Sequence, residues 1–218
     1  MGIYGARPLT SSRMNSVKKL IQYFEKFPGI GPRQARRFVY HLLTQSSAAL
    51  REMSESLNAI KREMGTCERC FRFFETTDAQ NKVCALCSNN GRSAETLMVV
   101  SKDIDLENIE RSGAFRGHYF VLGGTIPILE KNPEKKVRFA ELLKRITRGL
   151  REGLSEVIFA LNSTPEGDHT AEYLFNTLKP LGQKHNIKIS TLGRGLSTGL
   201  ELEYSDGDTI KHAIKNRA

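Results

Sequence analysis

The sequence predicts an α/β protein of several modules, in which a parallel sheet follows two smaller units, one purely helical and one built on cysteines. Three observations predict it. From Thr96 onward, short apolar runs alternate with helical stripes, the pattern of a parallel sheet covered on both faces. Before that point, all four cysteines fall between positions 67 and 87. Ahead of the cysteines, apolar residues recur at helical spacing in three successive segments, and the turn Phe27-Pro28-Gly29-Ile30-Gly31-Pro32 separates the first two.

Each element has its own signal. Val17, Leu20, Ile21, Phe24 and Phe27 share one helical face, so a first helix is expected from Ser16 to Lys26, stopped by Pro28. Pro32 suits a first helical position, and Ala35, Phe38, Val39, Leu42 and Leu43 give the second helix its apolar face. Ser46 or Ser47 caps a third, striped by Leu50, Met53, Leu57, Ile60 and Met64 and ended by Gly65. After the cysteines, Asn89-Asn90-Gly91 reads as a turn. LMVVS (97–101) is then a buried strand, Asp103 to Arg111 a helix, and HYFVLGG (118–124) a strand ending in glycines. Val137, Ala140, Leu143, Ile146 and Leu150 mark a longer helix, and EVIFALN (156–162) a buried strand. A helix through Ala171, Leu174, Phe175 and Leu178 and a strand IKISTL (187–192) complete the pattern. The expected division is a flexible lead-in at 1–14, a helical unit at 15–66, a cysteine unit at 67–92, an α/β domain at 93–192 and a C-terminal segment at 193–218.

Composition narrows the function. The 218 residues are 39% hydrophobic and 26% charged, enough for a real core. No apolar run approaches the roughly 18 residues of a membrane span. The first residues lack the apolar centre of a secretory signal. A cytoplasmic protein with no membrane partner is therefore expected. The net charge of +9 is uneven: residues 1–66 carry 11 Lys+Arg against 4 Asp+Glu, and the rest 22 against 20. A concentrated basic segment suits a polyanion, of which nucleic acid is the commonest, and solubility alone is the bland alternative.

The turn fits the hairpin of a helix-hairpin-helix motif. Gly29 and Gly31 permit backbone angles that a Cβ resists and a close approach to a ligand. Ile30 pins the turn to the two helices. The leading N–H groups of the second helix then face outward with the positive end of its dipole behind them, which makes a phosphate site. Arg33, Arg36 and Arg37 follow within the first two turns and add charge-assisted bonds. Nothing there reads base edges, so DNA binding should be sequence-independent and salt-sensitive. The alternative is an ordinary helical corner with solvated arginines.

Cys67-x2-Cys70 and Cys84-x2-Cys87, separated by 13 residues, have the spacing of a tetrahedral thiolate site whose default metal is Zn²⁺. The linker is long enough for a β-hairpin, with Phe71, Phe73 and Phe74 available to pack beneath it. Four thiolates close the site to substrate, so the role is structural. Disulfides are rare in the expected compartment, and a dithiol enzyme needs one such pair, not two. An iron–sulfur cluster is the remaining alternative.

The order of these parts resembles the RecR family of bacterial recombination mediators. PGIGPRQARRFVYHLL (28–43) is similar to its N-terminal motif, and LENIERSGAFRGHYFVLGG (106–124) to the start of its Toprim domain. EVIFALNSTPEGDHTAEYL (156–174) is similar to its central strand and loop, and GLSTGLELEYSDGDTIKHAI (195–214) to its C-terminal segment. The resemblance spans about residues 15 to 215. It implies a non-enzymatic DNA-repair protein that assists recombinase loading on single-stranded DNA, acts with RecO and in some settings RecF, and assembles as a homo-oligomer, a ring-like tetramer or a dimer. It implies DNA contact at Arg33 and Arg37, zinc ligands at the four cysteines, and partner or DNA interplay around Glu166.

Catalytic Toprim enzymes resemble this region too. They carry a carboxylate after the first strand and an Asp-x-Asp after a later one, which together hold Mg²⁺. Here those positions read Ser101-Lys102, where the RecR family itself usually has glutamate nearby, and Asn162-Ser163-Thr164. An amide, a hydroxyl and a lysine do not replace anionic ligands for a hard cation, so no nuclease, primase or topoisomerase activity is expected. Glu166 and Asp168, with Asp103 as a third, leave two readings open: weak Mg²⁺ binding, or acidic residues at a helix N-terminus. In the C-terminal segment the family commonly has paired glycines where this chain has Gly199-Leu200, and proline where it has Ser197. That segment also resembles a Walker B motif, but no Gly-x-x-x-x-Gly-Lys-Ser/Thr loop accompanies it, so ATP hydrolysis has no residues to carry it. Glu201, Glu203 and Asp206 read alternatively as an exposed acidic strand edge. The other functions kept open are a Mg²⁺-dependent Toprim nuclease on structured nucleic acid, and a hub whose basic face binds an acidic protein.

Overall fold

The computed structural model describes residues 16–76, 80–193, 195, 196, 199 and 201–215. The lead-in 1–14, Ser197 and Leu200 lie outside the described residues. The chain divides into two compact units, one ending at Arg62 and the other beginning at Glu63.

The first unit is helical: α1 (Ser16–Phe24), α2 (Pro32–Leu43) and α3 (Ser47–Glu63). α1 stops short of Lys26 because the chain tightens there, with Lys26 N–H donating to the Tyr23 carbonyl (3.2 Å) and Phe27 N–H to that of Phe24 (3.0 Å). The Phe24 ring meets Phe38 edge-on at 5.7 Å and Phe27 at 5.9 Å, which clamps α1 to α2. Such pairs add about 1 kcal/mol beyond burial. Ala35 and Val39 close that interface, both fully buried. Ser46 caps α3, its hydroxyl accepting from Ala49 N–H at 3.2 Å. Gly65 does not end α3 as expected. It sits in the middle of β1 (Met64–Thr66) opposite Phe74. A Cβ there would lie 2.9 Å from Thr76 Cγ2, so close packing, not a cap, favours glycine.

In the second unit, β1 pairs antiparallel with β2 (Phe73–Glu75), and the hairpin brackets Cys67 and Cys70. Only one strand of it lies in the cysteine linker, where the sequence suggested both. A one-turn helix α4 (Ala85–Ser88) starts at Cys84 and carries Cys87. Next come β3 (Ser93–Val100), α5 (Asp103–Ser112), β4 (Gly117–Val121), α6 (Phe139–Arg151), β5 (Glu156–Ala160), α7 (Pro165–His185) and β6 (Lys188–Thr191). The strands form one all-parallel sheet in the order β4-β3-β5-β6.

Alternation along the strands explains their continuous apolar runs. Leu97, Val99, Phe120, Val157 and Phe159 point to one face and pack with Leu142 and Ile146 of α6 and Leu174 and Leu178 of α7. Met98, Val100, Tyr119, Val121 and Ala160 point to the other, against Leu106 of α5. Both faces are buried, as doubly covered parallel sheets require. The polar start of β3, residues 93–96, joins the sheet through a register shift that no apolar pattern announces. A final helix, α8 (Gly207–Lys215), was not expected. Asp206 caps it, accepting from Asp208 N–H (3.0 Å) and Thr209 N–H (2.9 Å). Glu203 lies in a 3₁₀ turn, Leu202–Tyr204, that Glu201 precedes, so this acidic stretch is not a strand edge.

Candidate nucleic-acid interface and metal centre

The basic turn is built from backbone first. Gly29 is exposed and has φ +76°, the left-handed region, and a Cβ there would meet nothing within 4 Å. Conformation, not space, selects glycine. Ile30 is half-buried and its N–H donates to the Phe27 carbonyl at 3.1 Å, closing the turn. Gly31 is the extended N-cap of α2 and Pro32 opens the helix. No side chain caps α2 and its first turn carries no acidic residue. Arg33, Arg36 and Arg37 are all exposed. Their spacing of three and four puts them on one face of the helix, away from buried Ala35 and Val39. Helix dipole and guanidinium groups therefore act in the same direction, toward an anion.

The four cysteines converge. Cys67, Cys70, Cys84 and Cys87 are 0–4% exposed, and their sulfurs lie within 4.8 Å of one another. Among the described residues this is the group of three or more potential ligands close enough to hold one metal ion. Tetrahedral coordination with bonds of about 2.3 Å spaces sulfurs about 3.8 Å apart. Cys70 Sγ and Cys84 Sγ are 3.6 Å apart, so the cage fits. Cys84 N–H donates to Cys67 Sγ at 3.4 Å. Hydrogen bonding from Cys70 draws the Cys67 thiol well below its ordinary range, and the same contact holds the proton on Cys70.

Side chains and backbone weld this knuckle to the sheet. Val121 N–H on the β4 edge donates to the Cys70 carbonyl at 2.7 Å. Arg138 Nη1 donates to the carbonyls of Val121 (3.0 Å) and Phe71 (3.2 Å). Phe71 leaves the knuckle in the left-handed region, φ +61°, and its ring meets Phe120 at 5.5 Å. Phe74 packs against the cysteines, whereas Phe73 stays half exposed. Asp103 Oδ1 accepts from Phe73 N–H at 2.7 Å. Asp103, named in the sequence as a third acid beside Glu166 and Asp168, thus tethers β2 to the start of α5. Neither Arg138 nor this use of Asp103 had a signal in the sequence beyond its place near an element start.

At the C-terminal end of the sheet, α7 begins with Thr164 as its cap, whose hydroxyl accepts from Gly167 N–H at 3.1 Å. Glu166 and Asp168 both fall in that first turn. Being two residues apart, they project about 200° apart around the axis. Asp168 faces a cleft of about 610 Å³ shared with Ser163, His212 and Lys215, and Glu166 does not line it. The Glu166 carbonyl accepts from Thr170 Oγ1 at 2.6 Å, and Thr170 in turn accepts from Ile126 N–H at 2.8 Å. Ser101, at the end of β3, is fully buried. No described helix is long and apolar enough to cross a membrane.

Comparison with known proteins supplies the context. Residues 17–61 match the family described as RecR, helix-hairpin-helix; 95–192 match the Toprim domain; and 195–218 match RecR, C-terminal. The chain is 36% identical over 206 residues to Recombination protein RecR of Dehalococcoides mccartyi, covering 94% of this chain and 95% of that one. It is 37% identical over 198 residues to that of Syntrophobacter fumaroxidans, covering 91% and 92%. With that of Bacteroides thetaiotaomicron it shares 36% over 201 residues, 92% of each chain. A basic helix-hairpin-helix unit, a four-cysteine cage and a Toprim sheet, matched over nine-tenths of the chain, place this protein in the RecR family of recombination proteins.

Proposed function

We propose that this chain is a non-catalytic recombination mediator that binds DNA through the turn at Gly29 and Gly31 and the guanidinium groups of Arg33, Arg36 and Arg37. The exposed, uncapped and purely basic start of α2 carries the reading. Contact is with phosphates, so it is independent of base sequence. The work of the protein is then to assist loading of a recombinase on single-stranded DNA, with RecO and with RecF as protein partners, in the cytoplasm. One helix-hairpin-helix holds few phosphates. A ring tetramer or a dimer of this chain sums several such contacts, and the apolar residues exposed on α3, Leu57 at 59% and Ile60 at 53%, supply a surface for a second copy.

The metal in the cysteine cage is Zn²⁺ in a structural role, since four thiolates leave no open position. The functional division follows the sequence: DNA binding in 15–66, the metal knuckle in 67–92, the Toprim domain in 93–192, and the C-terminal segment from 193. Glu166 and Asp168 serve partner contact or a weak Mg²⁺ site at the Toprim end. Asn162, Thr164 and Lys102 give that end too few anionic ligands for catalysis.

Reversing Arg33, Arg36 and Arg37 to glutamate tests the reading. DNA binding is expected to vanish while zinc content per chain stays unchanged. Wild-type binding in that variant would refute it. A Toprim nuclease is the competing function, favoured by Asp168 at its cleft. It predicts Mg²⁺-dependent DNA fragments that disappear in Glu166→Gln and in Asp168→Asn, and intact DNA is the result expected here.

A further inference from the structure

Arg145 is an anomaly in the α/β domain. It projects from α6, yet its side chain is only 8% exposed. Its Nε has no hydrogen-bond partner among the described residues. The carboxylate that pairs with it, Glu152, is 3.5 Å from Nη1, and that carboxylate is held more closely by Arg148 Nε at 2.8 Å. A buried cation so weakly paired is costly, and proteins rarely keep one without a counter-charge. Burial pulls its pKa down, while Glu152 and then Cys87 act against that pull.

Residues that flank Cys67 and Cys70 adjoin it. Arg145 lines a cleft of about 210 Å³ with Glu68, Arg69 and Phe71 of the knuckle and Glu141, Lys144 and Arg148 of its own helix, four cations against two carboxylates. Arg69 Nη1 donates to the Cys87 carbonyl at 2.9 Å. Four thiolates around a divalent ion leave a net charge of two minus. That dianion is as buried as the cysteines themselves, at 0–4% exposure. Glu68 adds nothing to balance it, being an acid already paired with Lys82 at 3.2 Å.

We infer that Arg145, with Arg69, is a positioning residue for the metal knuckle: its guanidinium is the counter-charge of the loaded tetrathiolate, so that α6 of the Toprim domain sets the knuckle's grip on its metal. The inference rests on the reading of the four cysteines as a Zn²⁺ centre. It makes the knuckle and the domain one electrostatic unit rather than two neighbours. It also makes the effect of Arg145 depend on the metal, which a purely structural ion pair with Glu152 would not.

The test uses the full chain as wild type, Arg145→Met, Arg145→Lys and Arg148→Met. Zn²⁺ is titrated away with a chromogenic chelator, and thermal unfolding is followed with and without Zn²⁺. Arg145→Met is expected to weaken Zn²⁺ retention by about tenfold or more, the usual effect of losing an outer-shell partner. Arg145→Lys should recover most of that loss, and Arg148→Met should shift retention by less than about threefold. The melting temperature of Arg145→Met should fall with Zn²⁺ bound and hold or rise without it, because an unpaired buried cation has been removed. Should Arg145→Met not fold, Arg145→Gln is measured in its place with the same expectations. Wild-type retention of Zn²⁺ in the neutral variant, or equal destabilisation with and without the metal, overturns the inference. A wild-type chain with four reduced thiols that takes up no Zn²⁺ overturns instead the reading of the knuckle on which it rests.

Discussion

Gly29 shows how far single residues decide this protein's chemistry. Its φ of +76° suits glycine, and any side chain there costs about 1 kcal/mol or more in backbone strain. Gly29→Val is therefore expected to weaken DNA binding several-fold by deforming the turn, with helical content by circular dichroism almost unchanged. Gly167 is constrained by space instead. A Cβ there would collide with the Asn162 carbonyl oxygen. Gly167→Ala is expected to destabilise the Toprim domain by about 2–4 kcal/mol, measured by urea unfolding. The sequence made the three arginines and four cysteines legible because each class stands in a short, regular spacing. It could not show Arg138 bridging Val121 and Phe71, Asp103 tethering Phe73, or Arg145 beside the knuckle. Those contacts join positions far apart in the chain, and the residues look like ordinary helix-surface charges until the fold brings the partners near.

At the scale of elements, the knuckle and the sheet support each other. Cys70 and Phe71 occupy the edge of β4 through Val121 and Arg138, so the edge is covered rather than open. Removing the metal should free the knuckle and speed amide exchange at Val121 more than at Val157 in interior β5. Acid should act in the same way, because protons compete with the metal for thiolates. A second acid-sensitive link joins the turn before β3 to α5. Arg92 donates to both carboxylate oxygens of Glu110, at 2.7 and 3.0 Å. That hydrogen bonding holds the Glu110 carboxyl below its ordinary value of 4.5. The stabilisation is then fully present above that value and is lost as pH falls through the lower folded value. Glu110→Gln is expected to cost about 2 kcal/mol near neutrality and markedly less in acid, read from urea unfolding at the two pH values. Among elements, long apolar stripes and buried strands were legible from Val17 to Ile189. α8 was not, since its Gly-Asp-Thr start is signalled only by the Asp206 cap. β1 was hidden because Met64 extended the stripe of α3 and Gly65 looked like its stop.

For the whole molecule, the charge distribution and the exposed stripe of α3 belong together. Residues 1–66 carry most of the net charge of +9, and Leu50, Met53, Leu57 and Ile60 stand exposed along one helix. In the oligomer proposed for this chain, that stripe is the surface to be buried, and its burial gathers several basic turns. Leu57→Lys with Ile60→Lys is expected to lower the mass measured by light scattering and to weaken DNA binding more than the loss of any one arginine. In the proposed function, phosphate contacts by Arg33, Arg36 and Arg37 hold the DNA. Its most direct test is fluorescence anisotropy of labelled single-stranded DNA over a salt series, comparing wild type with the triple glutamine variant. Each lost phosphate contact should flatten the plot of log affinity against log salt by about 0.7 per binding subunit. A slope shallower by about 2 or more in the variant, on intact DNA, is the predicted result. An unchanged slope would contradict it and move the DNA site away from the turn at Gly29.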